Sequence, residues 1–591
     1  MLFRSDGVDI VKNWYDKTLG TPYEGTSPPE LYHKYVGHDN NRDWYAFTQV
    51  ETQITVDKIH NVWHPQIVHD IHQQGSFGSR LFLPPYMPPV EPNVPKQIVA
   101  GYTQLGSFMA REMRAKGFQG ITTNSSYDAW TPARAYSHYH GGVRILSETA
   151  SARIATPITV KFDQLRKGDE GYDPKKESAN FGPVWRGGEW HLRDITSCMT
   201  TAAFLLLQHA SQNREEWLSR FYEIGKEAVR PRKQGELFGF VIDSVSAHSE
   251  RLISVLKRAG IEYVLIERGY LIKLAQPHGG FAKALLEQQQ YPNLRDSDGH
   301  PLAPYDVTAH TLPLLFGVKV SPVTAPFKYR KVEVTGGGDD FDCLDSNNRN
   351  ALYRSSVPSM DEGWTRWVFE REAHRYCQTY SSIGDATVGS KDLRDKYDTI
   401  IIPDQPPATI LNGYRAGAMP PEYTGGLGQA GVKALREFVE QGGTLVCLNR
   451  ASSFAIEQFK LPVRNVVAGV PEKEFFVPGS ILRIELDTTS SIARGMPKET
   501  IVWVEDSPVF EVLPPGNAAM APVVRVIARY PTDKNPLLSG WLLGERRIRG
   551  KAALVEVTLG KGRIILFGFR PQYRAQSLAT YPLFFNAISG K

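Results

Sequence analysis

The feature that most constrains this chain is a strand–helix–strand pattern late in the sequence. The run YDTIIIPD places Ile400, Ile401 and Ile402 side by side. An uninterrupted β-branched run of this kind suits a strand covered on both faces. GVKALREFVEQGG follows, with Val432, Leu435, Phe438 and Val439 on one helical face and glycines at its end. TLVCLN reads as the next strand. Strands alternating with an amphipathic helix predict an α/β fold.

The same reading divides the 591 residues into several units, as expected at about 100–200 residues per domain. Residues 1–228 are rich in Trp, Tyr, His and Pro and alternate short strands, loops and helices. YTQLGSFMAREMRAKG predicts a helix stopped by Gly117, and DITSCMTT through KEAV predicts one long helix that closes the block. After the linker VRPRKQGE, LFGFVI, SERLISVLKRAG and IEYVLIE predict a small βαβ domain over 235–330 with a parallel sheet. VTGGGDDFDCLDSNNRN reads as a boundary loop. A second α/β domain is expected over 350–510. A β-rich region over 511–591 carries a hairpin at GKG.

Composition excludes some functions. The balance of 68 basic against 63 acidic residues leaves +5, with no long basic run, so nucleic acid is not an expected partner. The longest apolar run, near Ala202–Leu207, falls far short of the roughly 20 residues of a membrane span. MLFRSDGVDIVKNW has no apolar core of the kind a signal peptide needs. Cys198, Cys343, Cys377 and Cys447 form no CxxC pair, which argues against thiolate zinc sites and a disulfide framework.

The chemistry-bearing residues cluster in the first block. HDNNRDW puts Asn40, Asn41 and Arg42 on a loop. HDIHQQGS follows with His69 and His72, NSSYDAW carries Tyr127, and RILSETAS puts Glu148 late in an apolar strand. Taken singly, each has an ordinary structural reading: a packed or solvated His, a solvated Arg, an exposed strand-end Glu, a packing Tyr.

In this order the four stretches resemble the zinc metallocarboxypeptidases of the carboxypeptidase A-like family. Asp39-Asn40-Asn41-Arg42-Asp43-Trp44 matches that family's D-x-N-R-x-W element, and Asp6-Gly7 resembles the end of its Asn-Pro-Asp-Gly stretch. The resemblance covers roughly residues 6–210 and implies a partial α/β/α carboxypeptidase-like domain. It implies His72 as a zinc ligand, Glu148 as general base, Tyr127 as a mobile tyrosine that closes over the substrate, and Asn41 and Arg42 as holders of a peptide's terminal carboxylate. Tyr136 and Tyr139 lie close to Tyr127 in sequence. Zinc would polarise the scissile carbonyl and acidify its bound water. An arginine suits a carboxylate because its planar fork grips both oxygens.

The family's first two zinc ligands come from an H-x-x-E motif before the Asn-Arg pair. Here His33 is followed by Lys34-Tyr35-Val36 and His38 by Asp39-Asn40-Asn41, so the motif does not occur there. The second substrate-binding arginine also has no counterpart between Gly7 and Asn41, where Lys17 is a cation. The expectation is the C-terminal part of a peptide-hydrolysing zinc carboxypeptidase with an incomplete Zn2+ site, weak or absent zinc binding, and a secreted or periplasmic full-length protein. The alternative is a non-catalytic carboxylate- or glycan-binding protein anchored by Arg42. Residues 350–510 resemble the flavodoxin-like class I glutamine amidotransferase fold. That likeness opens a third reading, a hydrolase centred on Cys447, although Cys447 lies within an apolar strand and packing is its default role.

Overall fold

The computed structural model describes residues 5–589 except 126, 131, 168–170, 297, 331–347, 391 and 515–521. The boundary loop expected at 334–350 lies mostly outside the described residues. The molecule is mixed α/β, as the sequence predicts.

The first unit opens with helix α1 (Ser5–Thr18). It builds a mixed four-stranded sheet from β1 (Ile67–Gln74), β2 (Leu81–Phe82), β3 (Ile121–Thr122) and β4 (Val143–Ala150), in the order β1-β4-β2-β3. β1 is an edge strand and runs parallel to β4. Between β2 and β3, helix α2 (Lys96–Ala115) buries Leu105, Met109 and Met113 and ends before Gly117, whose φ is 87°. The single long helix expected at the end of this unit is two, α3 (Leu192–Gln212) and α4 (Arg214–Ala228). They break at Asn213, whose side-chain amide donates to the His209 carbonyl at 2.9 Å. That bond satisfies a carbonyl at the end of α3, and a polar side chain of this type competes with helix continuation.

The second unit corrects the parallel βαβ expectation. Strand β5 (Gly239–Asp243) leads through helix α5 (Ser249–Arg258) to β6 (Val264–Ile266), β7 (Gly269–Lys273) and later β8 (Val320–Val323). The order is β6-β7-β5-β8, and every pairing is antiparallel. The cause is the tight turn at Glu267-Arg268, which sends β7 back between β6 and β5. Gly269 makes this possible: its φ is 137°, and a Cβ there would lie 1.9 Å from the Ile242 carbonyl.

The third unit begins with β9 (Asn350–Tyr353), helix α6 (Met360–Tyr376), β10 (Ser381–Ile383) and β11 (Thr399–Ile402). Helix α7 (Gly428–Glu440), β12 (Thr444–Leu448) and helix α8 (Ala451–Phe459) follow. Strands β13 (Pro478–Leu486), β14 (Glu499–Glu505), β15 (Val523–Arg529), β16 (Ala552–Leu559) and β17 (Gly562–Phe567) complete a continuous path within a larger sheet. The order β10-β9-β11-β12-β17 is parallel throughout and reads 2-1-3-4-5 along the chain, the flavodoxin-like arrangement. From β17 the sheet continues antiparallel through β16, β15, β13 and β14. Residues 350–510 and 511–591 therefore share one sheet. The fifth parallel strand comes from the GKG hairpin, where Leu559 pairs with Gly562.

Both faces of the parallel part are covered, which accounts for its apolar runs. Ile401, Val446 and Leu448 join a core shared with the first unit, while Ile400, Ile402, Leu445 and Cys447 join a second core on the opposite face. Helix α7 buries Val432, Leu435, Phe438 and Val439, the face its sequence spacing marks.

Candidate functional site

The parallel register of β1 and β4 sets the site. His72 lies directly opposite Glu148, Asp70 opposite Leu146, and Val68 opposite Arg144. Side chains two apart share a face of a strand. Asp70, His72, Arg144 and Glu148 therefore lie on one face of the sheet. His69, three residues from His72, lies on the other. Its Nε2 meets the Ser147 hydroxyl at 2.9 Å, and burial pushes the imidazole down to about 4. The two histidines of HDIHQQGS are thus divided by the sheet.

On the charged face, His72 Nε2 lies 2.9 Å from one oxygen of Asp70, and the Arg144 guanidinium pairs with the other. Burial raises the Asp70 carboxyl, but the Arg144 and His72 contacts outweigh it and hold the group well below the carboxylate range. Arg144 also donates to the Tyr127 hydroxyl at 3.0 Å. Tyr127 stacks beneath Arg134, whose guanidinium lies 4.6 Å from the ring centre. Arg134 in turn holds Asp306 at 2.9 Å, and Asp306 is shared with Arg42 at 2.6 Å. Arg42 donates to Asn41 Oδ1 at 2.5 Å, and Asn41 Nδ2 lies 3.2 Å from His38 Nε2. The His38 ring returns to His72, with centroids 6.0 Å apart. All five residues that the carboxypeptidase resemblance singles out stand on or beside this closed circuit.

Glu148 is the exception within it. Its carboxyl makes no hydrogen bond or ion pair with a described residue. Burial pushes its pKa up, against the pull of His72 and Arg144. A half-buried, unpaired carboxyl raised in this way is equipped to accept a proton.

Two features differ from what the resemblance implies. Tyr127, in place of a mobile tyrosine, is 2% exposed, with its hydroxyl held by Arg144 and its ring 4.7 Å from that of Tyr86. The exposed tyrosine here is Tyr305, 50% accessible, with its ring 5.3 Å from Tyr127. Arg42, in place of an open carboxylate fork, is occupied by Asp306 from the second unit. Asp70 and Arg144 are not singled out in the sequence, although each is a charged residue inside a strand segment, which is the signal that could have marked them. Asp306, 264 residues beyond Arg42, carries no local signal.

The residues do not fit a catalytic zinc. Such a site uses three protein ligands, and among the described residues no group of three candidate ligands close enough to share an ion includes His72. Among the described residues, the group that does meet this spacing is Asp296, Asp298 and His300, all exposed.

The Cys447 reading fails on position. The thiol is wholly buried in β12, and burial pushes its pKa far up. The left-handed elbow between β12 and α8 is Asn449, with φ 52°, which offers an amide in place of a nucleophile. Cys198 is likewise buried and free, whereas Cys377 is disulfide-bonded.

No family model matches the chain, and no curated protein matches it. Among solved structures, a ThuA-like protein from Bacteroides uniformis aligns over 42% of this chain and 94% of its own, at 12% identity and TM-score 0.26. A GMP synthase-type protein from Thermoplasma acidophilum aligns over 41% and 93%, at 12% identity and TM-score 0.25. A β-galactosidase from Bacillus circulans aligns over 40% and 31%, at 14% identity and TM-score 0.23. Likenesses this low carry no argument about function.

Proposed function

We propose that the β1–β4 face and the Arg42–Arg134 pair form a carboxypeptidase-like binding site for the C-terminal end of a peptide, and that this chain alone does not hydrolyse it by a zinc route. The observation that carries the reading is the seat occupied by Asp306. Two guanidiniums grip one carboxylate, at 2.6 and 2.9 Å, in the chemistry a peptide's terminal carboxylate would require. Glu148 supports the reading because its carboxyl is unpaired and its pKa is raised. Arg134 acts electrostatically on both Glu148 and Asp306, which ties the seat to the β-sheet face. In this reading the incoming carboxylate exchanges with Asp306.

The test is fluorescence anisotropy with one labelled peptide in two forms, free acid and C-terminal amide. The free acid is expected to bind about tenfold or more tightly, the scale of one charged hydrogen-bonded pair. Asp306→Ala is expected to tighten the acid and leave the amide unchanged. Equal binding of both forms would remove the proposal. Zinc-dependent release of the terminal residue by this chain would overturn its non-hydrolytic half.

A further inference from the structure

A second candidate site lies in the third unit, on residues the charged face does not use. In a doubly wound sheet the connections leave a crevice at the carboxyl ends of the strands where the chain order reverses. Here that point falls between β9 and β11. A cleft of about 340 Å³ occupies it, walled by the ends of both strands, the start of α6, and α1 and residues 29–34 of the first unit.

The charges in this cleft are nearly all spoken for. Arg366 pairs with Glu362 at 2.9 Å and donates to the Lys34 carbonyl at 2.7 Å. Lys34 reaches Glu370 at 3.5 Å. Two opposite charges are left without a direct contact, although Arg354 also acts on Glu362 at longer range. Neither the Arg354 guanidinium nor the Glu30 carboxylate makes a hydrogen bond or ion pair with a described residue. Gln405, 5% exposed, spends its amide N–H on the Val357 carbonyl at 2.8 Å, and its Oε1 accepts from no described residue.

One unpaired planar cation, one unpaired carboxylate and one unused amide oxygen call for a dipolar ligand. A phosphate dianion would satisfy Arg354 but would face the unpaired Glu30 carboxylate, while the other lining cations, Lys34 and Arg366, are paired with Glu370 and Glu362. We propose that the cleft binds a small zwitterion of the amino-acid class. Arg354 grips the carboxylate through its fork, and Glu30 and Gln405 Oε1 accept from the ammonium. Because the walls come from two units, the ligand bridges them.

The test is isothermal titration calorimetry of the full chain with glycine, L-alanine and L-leucine, set against acetate, methylammonium and inorganic phosphate. At least one amino acid is expected to bind, while each singly charged probe and phosphate bind about tenfold more weakly or not at all. Arg354→Gln and Glu30→Gln alter exposed side chains, and unchanged circular dichroism will verify their fold. Each is expected to weaken the amino acid about tenfold. Failure of all three amino acids to bind would overturn the proposal. So would binding that both variants leave intact, or acetate or phosphate binding as tight as the amino acid. None of these readouts depends on peptide binding at the β1–β4 face.

Discussion

Replacing Asp306 by alanine gives the sharpest test of the charged circuit. The Asp306 side chain is 11% exposed, and its partners Arg42 and Arg134 are 16% and 6% exposed. The small contribution of a surface ion pair therefore does not apply. Removing one member of a buried pair strands the charge of the other, at a cost of about 3–5 kcal/mol. Burial raises the Asp306 carboxyl, but Arg134 and Arg42 outweigh it and hold the group below the carboxylate range. The sign follows: this contribution is complete above about pH 4 and is lost as pH falls through the folded-state value. Urea unfolding at neutral pH is expected to show the loss. The alanine also vacates a carboxylate-sized space between two guanidiniums. Acetate at roughly 100 times its Kd is expected to restore about 2.7 kcal/mol. Chloride at the same ionic strength, which only screens, is expected to restore much less. A loss below about 1 kcal/mol, less than any buried-pair account allows, would refute the reasoning. Equal rescue by chloride would refute it too.

Other positions test other parts of the structure. Gly363→Ala in α6 should gain about 1 kcal/mol by helix propensity, yet its Cβ would lie 1.7 Å from the Tyr35 carbonyl. A net loss of about 1–3 kcal/mol by chemical denaturation is expected, and a gain would mean that α6 does not pack there. Glu91 is 2% exposed, and burial pushes its pKa from the ordinary 4.5 to about 7, against hydrogen bonds from Tyr139 and Asn93. Its stabilisation is complete below about pH 4.5 and lost as pH rises through 7, a swing of up to roughly 3 kcal/mol. Glu91→Gln should flatten the fall in stability between pH 5 and 8, and an unchanged slope would count against a neutral Glu91. Zinc titrated into the chain should give no stoichiometric micromolar binding at His72, and a His72→Ala-sensitive site would show that ligands converge there after all.

What the sequence revealed divides along a physical line. The two-residue period of a strand is local, and it is enough to put His72 and Glu148 on one face once β1 and β4 pair in register. The apolar runs of β11 and β12 are local as well, and they announce a sheet covered on both sides. The misread elements turn on interactions that periodicity does not encode. Nothing in IEYVLIERG distinguishes a crossover strand from a hairpin except the tolerance of Gly269 for φ 137° against the Ile242 carbonyl. Nothing near HDNNRDW shows that Arg42 is already neutralised, because its partner arrives with the second unit. An arginine in a familiar local motif is evidence for a carboxylate but not for whose carboxylate it is. That is why the acetate and free-acid peptide measurements, which offer the Arg42–Arg134 seat an outside carboxylate, bear on function more directly than any motif in the chain.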